Sequence, residues 1–306
     1  MEQTNNNIEY KKVLKCPKCN SEKIIKRGQR RTQNRGLIQR YGCQECGKRF
    51  VEDLGFWKMK NAPQKVTLCL DLFYRGISTR KVQEHLQAFY PHNSSNVSIY
   101  KWILKYSKMI YGFTDNLKIN CGEEMQVDEM EYGRKGKKNH SWFIDAIDTE
   151  TRFMVASNFC KSRSGNEIKK VIGKAKEKTD EQIKICTTDG FFAYLKVVKS
   201  VFGYNNKLGK HNVLHNRVTQ LKNEGFNHKV ERMHSNIRAR TKTFRGVHNS
   251  IEARNAIMKG LSIYYNFIRS HQAIGCEPYK LAIPELKLGN NKWLDLIKLS
   301  NTNNLK

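Results

Sequence analysis

The pattern of apolar and polar positions divides the chain into helical and strand-like stretches. Val66, Leu68, Leu70, Leu72 and Phe73 crowd one stretch that predicts a helix, which Gly76 stops. Ser78 is placed to cap a second helix, on which Val82 and Leu86 share a face one turn apart. A third helix is predicted from about Asn96 to Tyr111, with Ile99, Trp102, Ile103 and Tyr106 as its apolar stripe. After these the period shortens. Met125–Met130, Ser141–Asp148, Phe153–Ser157 and Ile183–Asp189 each read as a strand. Ser164-Gly165-Asn166-Glu167 has the pattern of a capping box opening a helix after the third strand. Further helices are predicted from Phe191 and from Asn227. The reading gives four parts: a paired-cysteine module at 1–55, a helical module at 60–115, an α/β module at 120–285, and a tail at 286–306 that frays from Gly289.

The first part is defined by Cys16-Pro17-Lys18-Cys19 and Cys43-Gln44-Glu45-Cys46, with 23 residues between the pairs. Each C-x-x-C bites one metal from a tight turn, and two such turns complete a tetrahedral thiolate site, so the spacing predicts structural Zn²⁺ in a zinc ribbon. Gly47 follows the second pair, where the turn wants a residue that tolerates positive φ. Cys69, Cys121, Cys160, Cys186 and Cys276 lack ligand spacing and read as buried small hydrophobes.

Charge narrows the class of partner. The 306 residues carry 56 Lys and Arg against 28 Asp and Glu, a net charge of +28. A field of that sign draws polyanions through counterion release, and nucleic acid fits better than a membrane surface, because there is no basic amphipathic helix or lipidation signal. The polar stretch Met1–Asn7 lacks the apolar core of a secretory signal, and no apolar run reaches the ~18 residues that span a bilayer. The expected location is therefore the cytoplasm, on the nucleoid in a prokaryotic host. The loop between the cysteine pairs supplies Lys23, Lys26, Arg27, Arg30, Arg31, Arg35 and Arg40 as DNA contacts. Three short helices with a glycine turn read as a helix-turn-helix whose last helix enters the major groove, with Tyr100, Lys101 and Lys105 exposed.

Three acids carry the chemistry. Asp128 ends the first strand of the α/β part, and Asp189 ends the fourth, before Gly190. Glu231 opens a very basic helix, His228-Lys229-Val230-Glu231-Arg232-Met233-His234. The order strand, strand, strand, helix, strand, helix, helix is that of an RNase H-like mixed sheet with flanking helices. In that fold the first and fourth strands are neighbours, so Asp128 and Asp189 stand side by side. Such a trio suits two Mg²⁺ or Mn²⁺ ions, because hard oxygen ligands favour hard cations and two-metal sites handle in-line displacement at phosphorus. Glu129 points to the opposite face of a regular strand and is left out. Asp145 and Asp148 read as structural or turn residues. His234 and Arg238 follow Glu231 by one and two turns and could face the phosphate. Lys207, Lys210, His211, His215, Arg217, Lys222, Arg232, Arg240, Lys242 and Arg245 extend the DNA path. Glu224 is the only acidic rival to Glu231 between Lys196 and Arg245. Trp57, Trp102, Trp142 and Trp293 read as core.

From Asp128 to about Leu281 the chain resembles the DDE domain of insertion-sequence transposases, nearest the insertion-sequence-six group. The resemblance is carried by Val127-Asp128-Glu129 with Gly136, Asp145-Ala146-Ile147-Asp148, Thr188-Asp189-Gly190 with Tyr194, and the helix from His228 to His234. Phe244-Arg245-Gly246 and Tyr265–His271 with Pro278 continue it. It implies binding to the terminal inverted repeats of an element, cleavage that frees a 3′-hydroxyl, and transfer of that end into target DNA without a covalent enzyme intermediate. Joining two ends implies a homodimer or a larger homo-oligomer. The interval of 41 residues between Asp189 and Glu231 is longer than usual in that group, and a zinc ribbon is not its commonest N-terminus. Two other readings stand beside it: a transposase-derived regulator without catalysis, and another RNase H-fold nuclease.

Overall fold

The computed structural model describes residues 14–33, 36–56, 59–89, 94–132, 141–219, 227–242 and 250–303. In chain order the first elements are β1 (Ile24–Thr32), β2 (Gly36–Cys43), β3 (Arg49–Val51), α1 (Pro63–Tyr74), α2 (Thr79–Phe89) and α3 (Asn96–Thr114). Then come β4 (Glu124–Tyr132), β5 (Ser141–Asp148), β6 (Met154–Cys160), α4 (Gly165–Lys178), β7 (Ile185–Asp189) and α5 (Ala193–Phe202). Two short strands, β8 (Tyr204–Asn205) and β9 (Lys210–His211), precede β10 (Leu214–Val218), α6 (His228–Thr241), α7 (Ile251–Ile263), α8 (Tyr279–Ala282) and α9 (Lys292–Asn303). The chain forms two compact units, Met1–Asp71 with Glu285–Lys306, and Leu72–Pro284.

In the first unit β1, β2 and β3 form an antiparallel sheet in that order. The expected fraying after Gly289 is corrected here. Asn291 accepts a hydrogen bond from the Leu294 amide at 3.0 Å and so caps α9, and Trp293, Leu296 and Ile297 are buried. The Trp293 indole donates to Asp71 and the Asn291 amide to Thr67, which anchors the start of the helix. A capped helix with an apolar stripe has no reason to fray. Trp293 is core, as its sequence context suggests.

The second unit is built on a five-stranded sheet in the order β10-β7-β4-β5-β6. β5 is antiparallel to β4 and β6, while β7 runs parallel to β4 and β10 parallel to β7. This is the RNase H-like mixed sheet, with the first and fourth strands of the unit adjacent. β10 is absent from the sequence reading. Leu-His-Asn-Arg-Val has no apolar run, and it forms a strand only because an edge position beside β7 tolerates polar side chains. The capping-box expectation also fails. Ser164 sits at the N-cap of α4 without a side-chain hydrogen bond, and Glu167 turns instead to Asn158 at 2.6 Å and Lys170 at 2.8 Å. Cys121 and Cys276 are partly exposed rather than buried.

α4 packs on β5, β6 and α5; α6 packs on β4 and β5; α7 packs on β6 and α3. The apolar stripe of α3, Ile99, Trp102, Ile103 and Tyr106, is buried. Close approach of α3 and α7 depends on Gly260. A Cβ there would lie 1.8 Å from Tyr74 Oη and 2.7 Å from Ser107 Oγ, which are themselves joined by a buried hydrogen bond of 2.6 Å. Tyr100 on α3 is half-buried rather than exposed, whereas Lys101 and Lys105 reach solvent. Past α7 the chain continues as a buried π-helical turn, Tyr264–Ile268. There the Asn266 amide accepts from the Met154 amide at 2.8 Å and donates to its carbonyl at 2.9 Å, satisfying the exposed edge of β6.

Candidate active site

The site grows from where β7 stops beside β4. β4 and β7 pair in parallel up to Val127 and Thr188, so the next residues, Asp128 and Asp189, stand side by side where that ladder ends. Asp128 lies in the middle of β4, still paired with Asp145, rather than at its end as expected, and Asp189 closes β7 opposite Val218. Beyond that point the β7 side of β4 has no strand to pair with. The Glu129 amide points there and is taken by Asp128 Oδ1 at 2.9 Å. The result is a group of three carboxylates, Asp128, Glu129 and Asp189, each offering an oxygen within 4.8 Å of the others. The sequence reading joined Asp128 to Asp189 correctly. It excluded Glu129 because alternation along a regular strand sends neighbours to opposite faces; β4 is regular here, yet beside the end of β7 the three carboxylates still come within reach of one another. The acidic doublet Asp128-Glu129 within a strand was the available signal.

Glu129 is unusual among the three. Its side chain is 1% exposed. Burial raises its pKa to about 7, even though the Tyr194 hydroxyl donates to Oε2 at 2.6 Å. Its other oxygen, Oε1, has no hydrogen bond, and the nearest cation is Arg163 Nη1 at 3.9 Å. Asp189 is held by the Phe191 amide at 2.9 Å, yet burial still raises its pKa. Carboxylates crowded together and partly dried are poised for a divalent cation, which would relieve both the repulsion and the unmet acceptor.

Behind the group lies a second arrangement. Asp145 is the direct cross-strand partner of Asp128, on β5, and two acids facing each other across a ladder repel. His234 from α6 resolves this. Its Nε2 lies 3.0 Å from Asp145 Oδ2 and its Nδ1 3.4 Å from Asp128 Oδ2. Burial opposes a charged imidazole, but the two carboxylates outweigh it and raise the His234 pKa to about 9. The expectation that His234 contacts DNA is therefore corrected: the ring is buried and both nitrogens are occupied by acids. Asp145 is fully buried and structural, as read, with burial raising its pKa to about 6. Asp148 is structural too, accepting from the amides of Gly122 and Thr151.

Glu231 lies on the first turn of α6, exposed, and is not one of the three clustered acids. It precedes His234 by one turn, on the helix whose His234 touches Asp128. The N-terminus of α6 is docked by Gln126 of β4, whose side-chain oxygen accepts from the amides of Lys229 and Val230 at 3.1 and 3.3 Å. That substitutes for a capping residue and fixes the turn that bears Glu231.

The basic residues separate into two sets. Arg27, Arg30, Arg31, Lys101, Lys105, Arg232, Arg238 and Lys242 are exposed. Arg240 is half-buried, donating to the Arg75 carbonyl at 2.7 Å with its guanidinium over Tyr264. His215 and Arg217 are also engaged locally, with Thr188 and the Gly190 carbonyl. Arg35, Trp57, Gly136, Lys222, Glu224 and the stretch Phe244-Arg245-Gly246 lie outside the described residues.

The cysteines form the other cluster. The sulfurs of Cys16, Cys19, Cys43 and Cys46 all lie within 4.8 Å of one another, with Cys16–Cys46 and Cys19–Cys43 each at 3.5 Å. Sulfurs bound tetrahedrally at ~2.3 Å from zinc would stand about 3.8 Å apart, so the spacing fits that ion. Both turns use the same device. The residue after each pair, Asn20 and Gly47, has positive φ, at 57° and 66°.

Residues 122–271 match a family model described as a DDE domain. The chain carries a DDE domain. The chain is similar to the catalytic core of HTLV-2 integrase solved with magnesium, in its trimeric form. That likeness has 15% identity and a TM-score of 0.39, and covers 54% of this chain and 98% of the other. An intasome of simian T-cell lymphotropic virus, in complex with PP2A regulatory subunit B56 gamma, is similar at 13% identity and a TM-score of 0.40, covering 54% of this chain and 56% of that one. No curated protein matches the chain by sequence. The DDE domain is the part that holds the acidic cluster. No helix among the described residues is long and apolar enough to cross a membrane.

Proposed function

We propose that the protein is a transposase that binds the ends of a DNA element, cleaves strands there and joins the freed 3′-hydroxyl to target DNA. The observation that carries the reading is the convergence of Asp128 and Glu129 of β4 with Asp189 at the end of β7, inside a DDE domain. Asp128 and Asp189 would hold Mg²⁺ or Mn²⁺, and Glu231 would complete the ligand set from the docked turn of α6. The all-oxygen donor set and the unmet Glu129 acceptor fit such a cation. Bound there, divalent metal would lower the pKa of the attacking hydroxyl or water and offset charge on the leaving oxygen. The chain's own residues do the rest. His234 and Asp145 hold Asp128 in place, and Gln126 holds the Glu231 turn. Cys16, Cys19, Cys43 and Cys46 would hold a structural Zn²⁺ that keeps the basic β1–β2 hairpin folded, with Arg27, Arg30 and Arg31 toward phosphates. Lys101 and Lys105 on α3, and Arg232, Arg238, Arg240, Lys242 and Arg245, would line the rest of the DNA path. We assign 1–55, 60–115, 120–285 and 286–306 as ribbon, helix-turn-helix, catalytic domain and tail. Action on two ends requires a dimer or larger assembly in the cytoplasm.

The test is a strand-transfer assay on a supercoiled donor with Mg²⁺, using the wild type and Asp128→Asn, Asp189→Asn and Glu231→Gln. Joined products that vanish in each variant support the reading. Cutting without joining points to a nuclease, and DNA binding with neither activity points to a regulator.

A further inference from the structure

Two cation–ring stacks flank the acidic cluster and have no part in the reading above. The Arg163 guanidinium carbon lies 4.8 Å from the ring centre of Trp142 and 4.4 Å from that of Phe191. Stacking fixes the plane of the fork and leaves its N–H edge open, and the side chain is 44% exposed. Arg217 lies over Phe192 at 5.5 Å, its Nη2 anchored to the Gly190 carbonyl. Phe192 is 76% exposed, the most exposed of the large hydrophobic residues among those described. Phe191 and Phe192 follow directly on Asp189-Gly190, so both stacks sit at the mouth of the cluster.

A single exposed phenylalanine is ordinary. Here it is backed by an arginine, stands beside carboxylates suited to a phosphodiester, and belongs to a chain of net charge +28. A nucleic-acid base has a π-face that matches such a ring, and stacking of this kind is independent of sequence. A paired base has both faces covered by its neighbours, so the ring can be used only by a base that has left its stack.

We propose that this rim grips one unpaired nucleotide beside the phosphate being cut, with Phe192 stacking on the base and Arg163 taking the adjoining phosphate. The proposal rests on the transposase reading and adds to it a preference for a frayed DNA end.

The test compares a short blunt duplex with the same duplex carrying a short unpaired 3′ tail that contains 2-aminopurine. Binding is measured by anisotropy at fixed salt, with Ca²⁺ in place of Mg²⁺ to slow chemistry. The wild type should bind the tailed duplex about 10-fold more tightly and quench the 2-aminopurine. Phe192→Ala should remove the preference and the quenching while leaving blunt-duplex affinity unchanged, and Phe192→Trp should retain both. A methylphosphonate at the junction phosphate should weaken wild-type binding several-fold but leave Arg163→Ala and Arg163→Lys unaffected. Equal wild-type affinity for the two duplexes, or a preference that survives Phe192→Ala, overturns the base site. An equal methylphosphonate effect in wild type and Arg163→Ala overturns the phosphate assignment. Mn²⁺-dependent nicking measured separately in Asp128→Asn keeps the two levels apart: nicking that persists refutes the metal-site reading beneath the proposal.

Discussion

Replacing His234 should destabilise the fold more than its size suggests. The imidazole bridges Asp145 and Asp128 and is 2% exposed, while Asp145 is fully buried and its Oδ1 already has no hydrogen bond. His234→Leu keeps most of the volume but strands the Asp145 carboxylate without a cation. Breaking a buried pair in this way costs about 3–5 kcal/mol. Asp145→Leu alone leaves the imidazole to Asp128 and should cost less. The double variant Asp145→Leu/His234→Leu removes both groups, and its cost should fall below the sum of the singles by about 2 kcal/mol or more. The penalty has a pH signature. Without its partner, Asp145 folds protonated, whereas in the unfolded chain it ionises at an ordinary carboxylate pKa. The folded state then binds more protons above that value, so His234→Leu loses stability as pH rises. Urea titrations at pH 5 and pH 8, in EDTA, measure all of this. Additive single costs, or a His234→Leu penalty that is small and independent of pH, would refute the ion bridge as the element that joins α6 to β4 and β5.

Metal analysis of protein purified without added zinc should find one Zn²⁺ per chain, and Cys43→Ser should lose it, with thiol titration reporting the freed cysteines; retention of zinc by Cys43→Ser counts against the four-cysteine site. Gly260→Ala should cost about 1–3 kcal/mol in urea unfolding by forcing Tyr74 and Ser107 apart. Burial beside Tyr265, aided by Arg269 and Arg152, lowers the His271 pKa to about 4. The unfolded chain takes up that proton near 6.5, so stability should fall as pH drops from 6.5 toward 4, by about 2 kcal/mol after allowing for partial solvent screening. His271→Gln should flatten that limb of the profile.

The legible parts of the fold were those written in local chemistry. The cysteine pairs announce their turns because metal ligation needs two short bites, and both turns form as spaced. The α3 stripe and the four strands from Met125 to Asp189 stand out because each buries an apolar run. β10 escaped because it has no apolar run, and α9 because its short apolar stripe stands beside an Asn-rich end. Each is held by a partner distant in the chain, β7 for the strand and Thr67 with Asp71 for the helix. Within the site, Asp189 was readable from a strand end and Asp128 from an acid beside an apolar run, though its strand runs on past it; Glu129 and His234 were assigned to the wrong surroundings.

The sequence by itself determined the class of chemistry: paired thiolates for one cation, acids beside apolar strand runs for another, and a charge that calls for a polyanion. Those are properties of residue type and short spacing, and no folding is needed to read them. Tertiary structure alone decided which acids meet and which histidine is buried. Both depend on where β7 ends beside β4 and on how Gln126 seats α6, and such junctions between distant segments leave no periodic trace along the chain.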